Sequence, residues 1–177
     1  TLGILTGISF QSGVDYYKSI NDTFHEFVNR KLVIKPNPNI VMVSVDCDEY
    51  CKYLDEQDWR RATQYLVRGV DKIVAAGVDI LTIASNTGHL AYNAIATKYP
   101  DLPVIHIADC TAQAIKAQGL SKVGLLGTTP TMTQPYLKER LALHGIEVIV
   151  PEAEADLLGI FEFIKNELGF GGSEGAS

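Results

Sequence analysis

The chain has 177 residues, enough for one large domain or two small lobes. Hydrophobic residues make up 46% and charged ones 20%, the balance of an ordinary folded protein rather than a disordered one. The net charge is -6 and the fifteen basic residues form no stripe; this argues against a nucleic-acid partner but not against a small anion held by local groups.

Leu2-Gly3-Ile4-Leu5-Thr6 reads as a short apolar strand, and Gly7 to Gly13 as a loop of small residues. Val14, Tyr17, Ile20, Phe24, Phe27 and Val28 then recur every three or four residues, which predicts a helix with one core face. Pro36 to Asn39 marks a turn before the strand Ile40–Val45, which ends in Asp46-Cys47-Asp48. Asp58 is placed to cap a helix from Trp59 to Ala76. Its Ala62, Tyr65, Leu66, Gly69, Val70, Ile73 and Val74 face the sheet, and Gly77 closes it.

Asp79 to Ala84 is a buried strand by composition. It runs into Ser85-Asn86-Thr87-Gly88-His89, after which helical spacing resumes to Lys98. Tyr99-Pro100-Asp101-Leu102-Pro103 breaks the pattern. Beyond it come a strand over 104–107, a helix over 110–118 and a strand over 122–127 with the polar exit Thr128-Thr129-Pro130-Thr131. A helix over 132–144, a strand over 146–150 and a helix over 155–168 complete the order. Residues 169–177 have the composition of a flexible tail.

Strands alternate with helices in units of roughly 25–30 residues, the spacing of right-handed crossovers between parallel strands. The expected fold is α/β: two similar lobes, 1–98 and 99–168, each a parallel sheet flanked by helices, with a cleft between them. Three strands are few for the second lobe, so more chain is expected beyond Ser177, and at least an initiator Met before Thr1. No apolar run approaches the ~18–20 residues of a membrane span and no signal peptide is visible. Three cysteines, Cys47, Cys51 and Cys110, suit a reducing cytoplasm, and one C-x3-C pair without a second is a weak sign of metal, so none is expected.

In open α/β sheets, ligands sit beyond the carboxyl ends of strands, where helix N-termini present free N–H groups. Ser85, Asn86 and Thr87 end one strand in this way, and Thr128 and Thr129 end another. These are candidate donors for a carboxylate, with Ser9 and Gln11 on the first loop for the ligand's other end; each is equally suited to capping or turning the chain. Lys165 is a candidate partner for a second carboxylate, with a solvated lysine as the commoner role. A nucleotide enzyme is disfavoured, because both the G-x-G-x-x-G fingerprint and the Gly-Lys-Ser/Thr phosphate loop are absent.

Several stretches together resemble the aspartate/glutamate racemase family: Gly3 to Ser9 with Asp15-Tyr16-Tyr17, Ser44-Val45-Asp46, Ala84 to His89, Val123 to Thr128, Tyr136 to Leu141, and His144 to Val148. The resemblance implies inversion of an amino acid's α-carbon by two facing cysteine thiols, without pyridoxal phosphate or metal. It also implies a small acidic amino acid or dicarboxylate as partner, and a homodimer. Ser85 stands where the family has its first cysteine, and the second Cys-Thr motif would fall beyond Ser177. A thiol titrates near ~8.5, a hydroxyl near ~15.7 like bulk water, so the exchange costs on the order of 10 kcal/mol of basicity. Ser85 therefore needs a base of its own, and a Ser85–His89 dyad is disfavoured because His89 leads out of the site. Either the chain is a racemase impaired at position 85, by replacement or by nature, or it is a relative that binds an acidic ligand without turnover.

Overall fold

Four apolar runs become the parallel strands of one sheet: β1 (Leu2–Thr6), β2 (Ile40–Ser44), β3 (Ile80–Ile83) and β4 (Val104–Ile105), in the order β2-β1-β3-β4. The computed structural model describes residues 1–28, 36–164 and 166. β1 is central, with Leu5 opposite Val43 on one side and Ile83 on the other. Its Ile4 and Leu5 are fully buried, as expected of a strand covered on both faces.

The chain divides into two compact units, Thr1–His106 and Ile107–Ser177. In the first, α1 (Phe10–Phe27), α2 (Cys47–Asp55), α3 (Trp59–Ala75), a 3-10 turn (Thr87–Ala91) and α4 (Tyr92–Lys98) connect the strands. α3 follows its sequence signals closely. Asp58 accepts from the Arg61 N–H at 2.9 Å, a true N-cap. Ala62, Leu66, Gly69, Val70 and Ile73 are buried, and Gly77 leaves the helix with φ +75°. Asp46 caps α2 in the same way, its Oδ1 accepting from the Asp48 N–H at 2.9 Å.

α1 departs from expectation in two ways. It starts at Phe10, inside the segment read as loop, with Ser9 at its N-cap. Its apolar stripe covers the core only in part: Val14 and Tyr17 are half or more exposed and Phe27 is 85% exposed, while Ile20 and Phe24 are half-buried. The one fully buried residue of the helix is Gly13. A Cβ there would lie 2.0 Å from Thr6 Oγ1, so α1 rests against the end of β1 through bare backbone. Counted at about 100° per residue, Gly13 falls on the stripe itself, between Ile20 and Phe24.

In the second unit, β5 (Lys122–Gly124) and β6 (Glu147–Ile149) form a two-stranded parallel sheet. With α5 (Ile107–Ala117), α6 (Thr129–Thr133), α7 (Pro135–Leu143) and α8 (Glu154–Phe163) they complete the described elements. Ala108, Ala112, Leu137, Leu141 and Ile146 make its core. The strand at 104–107, assigned above to the segment 99–168, pairs with β3 in the first sheet, and it stops at Ile105 because α5 already begins at Ile107. The single helix expected over 132–144 is two. Gln134 is extended, as the residue before a proline prefers to be, and Pro135 opens α7. Arg140 grips Asp109 with Nε and Nη2, both at 2.7 Å, and His144 Nε2 reaches the same carboxylate at 2.8 Å, fastening α7 to α5. Lys165 and the tail 169–177 lie outside the described residues. Among the described residues no helix is long and apolar enough to cross a membrane.

Candidate functional site

In the order β2-β1-β3-β4, the chain leaving β1 turns toward one edge of the sheet and the chain leaving β3 toward the other. The loops diverge at the carboxyl ends of these two central strands, the switch point at which doubly wound sheets hold ligands. Gly7 makes the first turn possible. Its φ is +96°, and a Cβ would strike the Val45 carbonyl oxygen at 2.1 Å. Ile8 then packs toward the second loop, where a Cβ on Gly88 would lie 2.8 Å from Ile8 Cδ1. The two loops touch through these residues, and Ser9 and Gln11 follow at the head of α1. Ser9 does not cap that helix through its side chain; its hydroxyl donates to Gln11 Oε1 at 2.9 Å.

The second loop is Ser85-Asn86-Thr87. Ser85 is half-buried, Asn86 exposed and Thr87 buried. Ser85 Oγ accepts from the Gly88 N–H at 3.2 Å, and the Asn86 carbonyl accepts from the His89 N–H at 3.1 Å, so the loop tightens at once into the 3-10 turn. Its backbone is fixed from behind by two buried side chains. His89 Nδ1 donates to the Ser85 carbonyl at 2.7 Å, and the Tyr50 hydroxyl on α2 donates to the Thr87 carbonyl at 3.2 Å. His89 packs against His106 with ring centroids 4.5 Å apart and planes tilted by 51°, and Tyr92 meets His106 edge-on at 4.6 Å. The shelf is thus rigid by construction, and Asn86 is its exposed residue.

Within the first unit the structure brings Ser9, Gln11, Ser85, Asn86 and Thr87 to the same end of the sheet. Thr128 and Thr129 belong to the second unit, at the exit of β5. Thr128 Oγ1 lies 3.0 Å from Thr131 Oγ1, which lies 3.3 Å from the Tyr136 hydroxyl. The Thr129 carbonyl accepts from the Thr133 hydroxyl at 2.8 Å. Among the described residues no group of three or more His, Cys, Asp or Glu could hold a metal ion.

Sequence reasoning missed Tyr50 and His106. Tyr50 had a usable signal: Asp46 followed by Asp48 and Glu49 is a capped, acidic first turn, which places a helix and hence a buried face there. His106 had none, since nothing local says that the strand before it ends two residues early.

A family model described as Asp/Glu/hydantoin racemase matches residues 5–168. A glutamate racemase from Parafrankia sp. (strain EAN1pec) is 33% identical over 88 residues, 49% of this chain and 32% of that protein. The broad specificity amino-acid racemase RacX from Bacillus subtilis (strain 168) is 26% identical over 149 residues, 84% of this chain. The chain spans 63% of RacX, so it is shorter than both curated relatives. Among solved structures, a candidate Asp/Glu racemase from Yersinia pestis superimposes with a TM-score of 0.81 at 36% identity, over 96% of this chain and 72% of that one.

Proposed function

The chain belongs to the Asp/Glu/hydantoin racemase family, and on that premise we propose that it binds an acidic amino acid at the carboxyl ends of β1 and β3. Its reaction, in this reading, is inversion of the α-carbon by two-base proton transfer, with position 85 as the first base. Ser9, Gln11, Asn86 and Thr87 are the proposed carboxylate donors of the first unit, and Thr128 and Thr129 those of the second; Lys165 keeps the role of a candidate counter-ion. Pyridoxal phosphate and metal have no part in the scheme, and the protein is taken to be a cytoplasmic homodimer.

One observation carries the reading: Ser85 and Asn86 stand on a shelf whose carbonyls are held by His89 and Tyr50, at the point where the central loops diverge. Chemistry at position 85 is impaired. A serine hydroxyl is a poorer base than a thiolate by on the order of 10 kcal/mol. His89 spends its Nδ1 proton on the Ser85 carbonyl and so does not act on the Ser85 hydroxyl, whose oxygen accepts from the Gly88 N–H. The engagement of His89 with the backbone favours a second reading, a relative that binds the same ligand without turnover.

Proton exchange separates the two. Incubated with aspartate or glutamate in deuterated water, the Ser85→Cys protein should incorporate deuterium at the α-carbon and the serine form should not. Binding without exchange in the Ser85→Cys protein would leave the non-catalytic reading standing.

A further inference from the structure

Behind the first loop, two exposed thiols meet. Cys47 Sγ and Cys51 Sγ are 3.7 Å apart on the first two turns of α2. Cys47 also donates its thiol proton to the Ile8 carbonyl at 2.9 Å. A thiol has one proton, so Cys51 is the donor in the sulfur–sulfur contact and the chain of bonds runs from Cys51 to Cys47 to Ile8. Ile8 is the residue through which the first loop touches Gly88. Tyr50, between the two cysteines, holds the Thr87 carbonyl of the second loop. One short helix therefore steadies both loops, and a thiol pair sits in its first turns.

We propose that Cys47 and Cys51 are an oxidant-sensitive dithiol whose closure to a disulfide loosens both loops. The oxidant is a hydroperoxide. The Cys47 sulfur attacks its O–O bond, taking one oxygen to become a sulfenic acid while the other leaves as alcohol or water. The Cys51 sulfur then attacks the Cys47 sulfur and expels the oxygen, which departs as water with the Cys51 proton. Two thiols and one hydroperoxide give one disulfide, one alcohol and one water. The order of attack follows from the surroundings, since partial burial of its thiol and the adjacent Cys47 push Cys51 up to about 12 and keep its proton in place. The Cys47 thiol proton goes to the leaving oxygen in the first step, and the disulfide formed in the second has none to donate to the Ile8 carbonyl.

Closure also bears on the helix. Residues four apart on a helix have Cβ atoms about 5–6 Å apart, and a disulfide needs about 3.8 Å. The first turn must be drawn in. Cys47 is the first residue of α2, so the turn is drawn in at the helix end, against the hold of the Asp46 cap. A disulfide closed against such a preference is readily reduced, which suits a reversible modification.

The test uses the Cys110→Ser chain, which leaves this pair as its thiols. Mass spectrometry after hydroperoxide treatment should show the loss of two hydrogens, mapped to a 47–51 link and reversed by dithiothreitol. Adding Cys51→Ser should instead accumulate a Cys47 sulfenic acid that dimedone traps. In the oxidised pair, amides of residues 8–11 and 85–89 should exchange deuterium about fivefold faster, the change expected from losing one net hydrogen bond. Over-oxidation of Cys47 with Cys51 left as a thiol would overturn the pairing. A disulfide that leaves exchange in both loops unchanged would overturn the coupling. Neither result depends on the substrate or on any activity at Ser85.

Discussion

His89 Nδ1 lies 2.7 Å from the carbonyl oxygen of Ser85, whose hydroxyl faces the Gly88 amide instead. A carbonyl only accepts, so Nδ1 carries the proton and the imidazole acts on the backbone rather than on the side chain. The histidine four residues after Ser85 is a fixture of the shelf. It is 1% exposed and leans on His106, so its removal both opens a cavity and frees a carbonyl. His89→Ala should cost about 2–4 kcal/mol, read as a lower urea midpoint at unchanged slope.

Tyr50 makes the matching bond to the Thr87 carbonyl from α2. Tyr50→Phe keeps the ring in its fully buried place and removes only the donor. The expected loss is about 1 kcal/mol, again in the urea midpoint. No change at all would mean that the shelf is held by packing and not by this bond.

Gly13 tests the seat of α1. Gly13→Ala places a methyl 2.0 Å from Thr6 Oγ1 and should destabilise the fold by about 1–3 kcal/mol. Thr6→Ala removes the obstructing atoms, so the double variant should recover part of the loss. Additive effects in the double-mutant cycle would contradict a direct clash.

Asp71 joins α3 to α4 and carries a pH signature. Burial pushes its carboxyl up, but the hydrogen bonds from Lys98 and Tyr99, both at 2.6 Å, together with the Lys98 charge bring it below its ordinary value. A depressed carboxylate stabilises the fold above its unfolded pKa, near ~3.9, and the contribution is lost as pH falls through the lower folded value. The side chains are more than a third exposed, so the effect is a few tenths of a kcal/mol. Asp71→Asn should be less stable than the parent by that amount at pH 7, and the gap should close below pH ~4.

Where the local chain decides its own structure, the sequence was readable. Asp58, the four-residue rhythm from Ala62 to Ile73 and Gly77 define α3 without help from elsewhere. The strand end at Ser85 was readable for the same reason, because an apolar run stopping in small polar residues has few other uses. Partners far apart in sequence were not. Nothing in Val104-Ile105 says that its neighbour is β3 rather than β5. The contact face of α1 was legible, but not how little of it is buried, because its tightest contact is made by a glycine, which has no hydrophobicity to weigh. At the site, Ser85, Asn86 and Thr87 could be named in advance, but Tyr50 and His89 hold them through backbone carbonyls, which the sequence does not show.

The most direct measurement is a calorimetric titration of the chain with L-aspartate and L-glutamate. Saturable heat with at least one of them, abolished by Asn86→Ala, is the expected result, since Asn86 is the exposed residue of a shelf otherwise fixed in place. No saturable heat with either amino acid, or binding that Asn86→Ala leaves intact, would contradict the placement of an acidic ligand at the ends of β1 and β3.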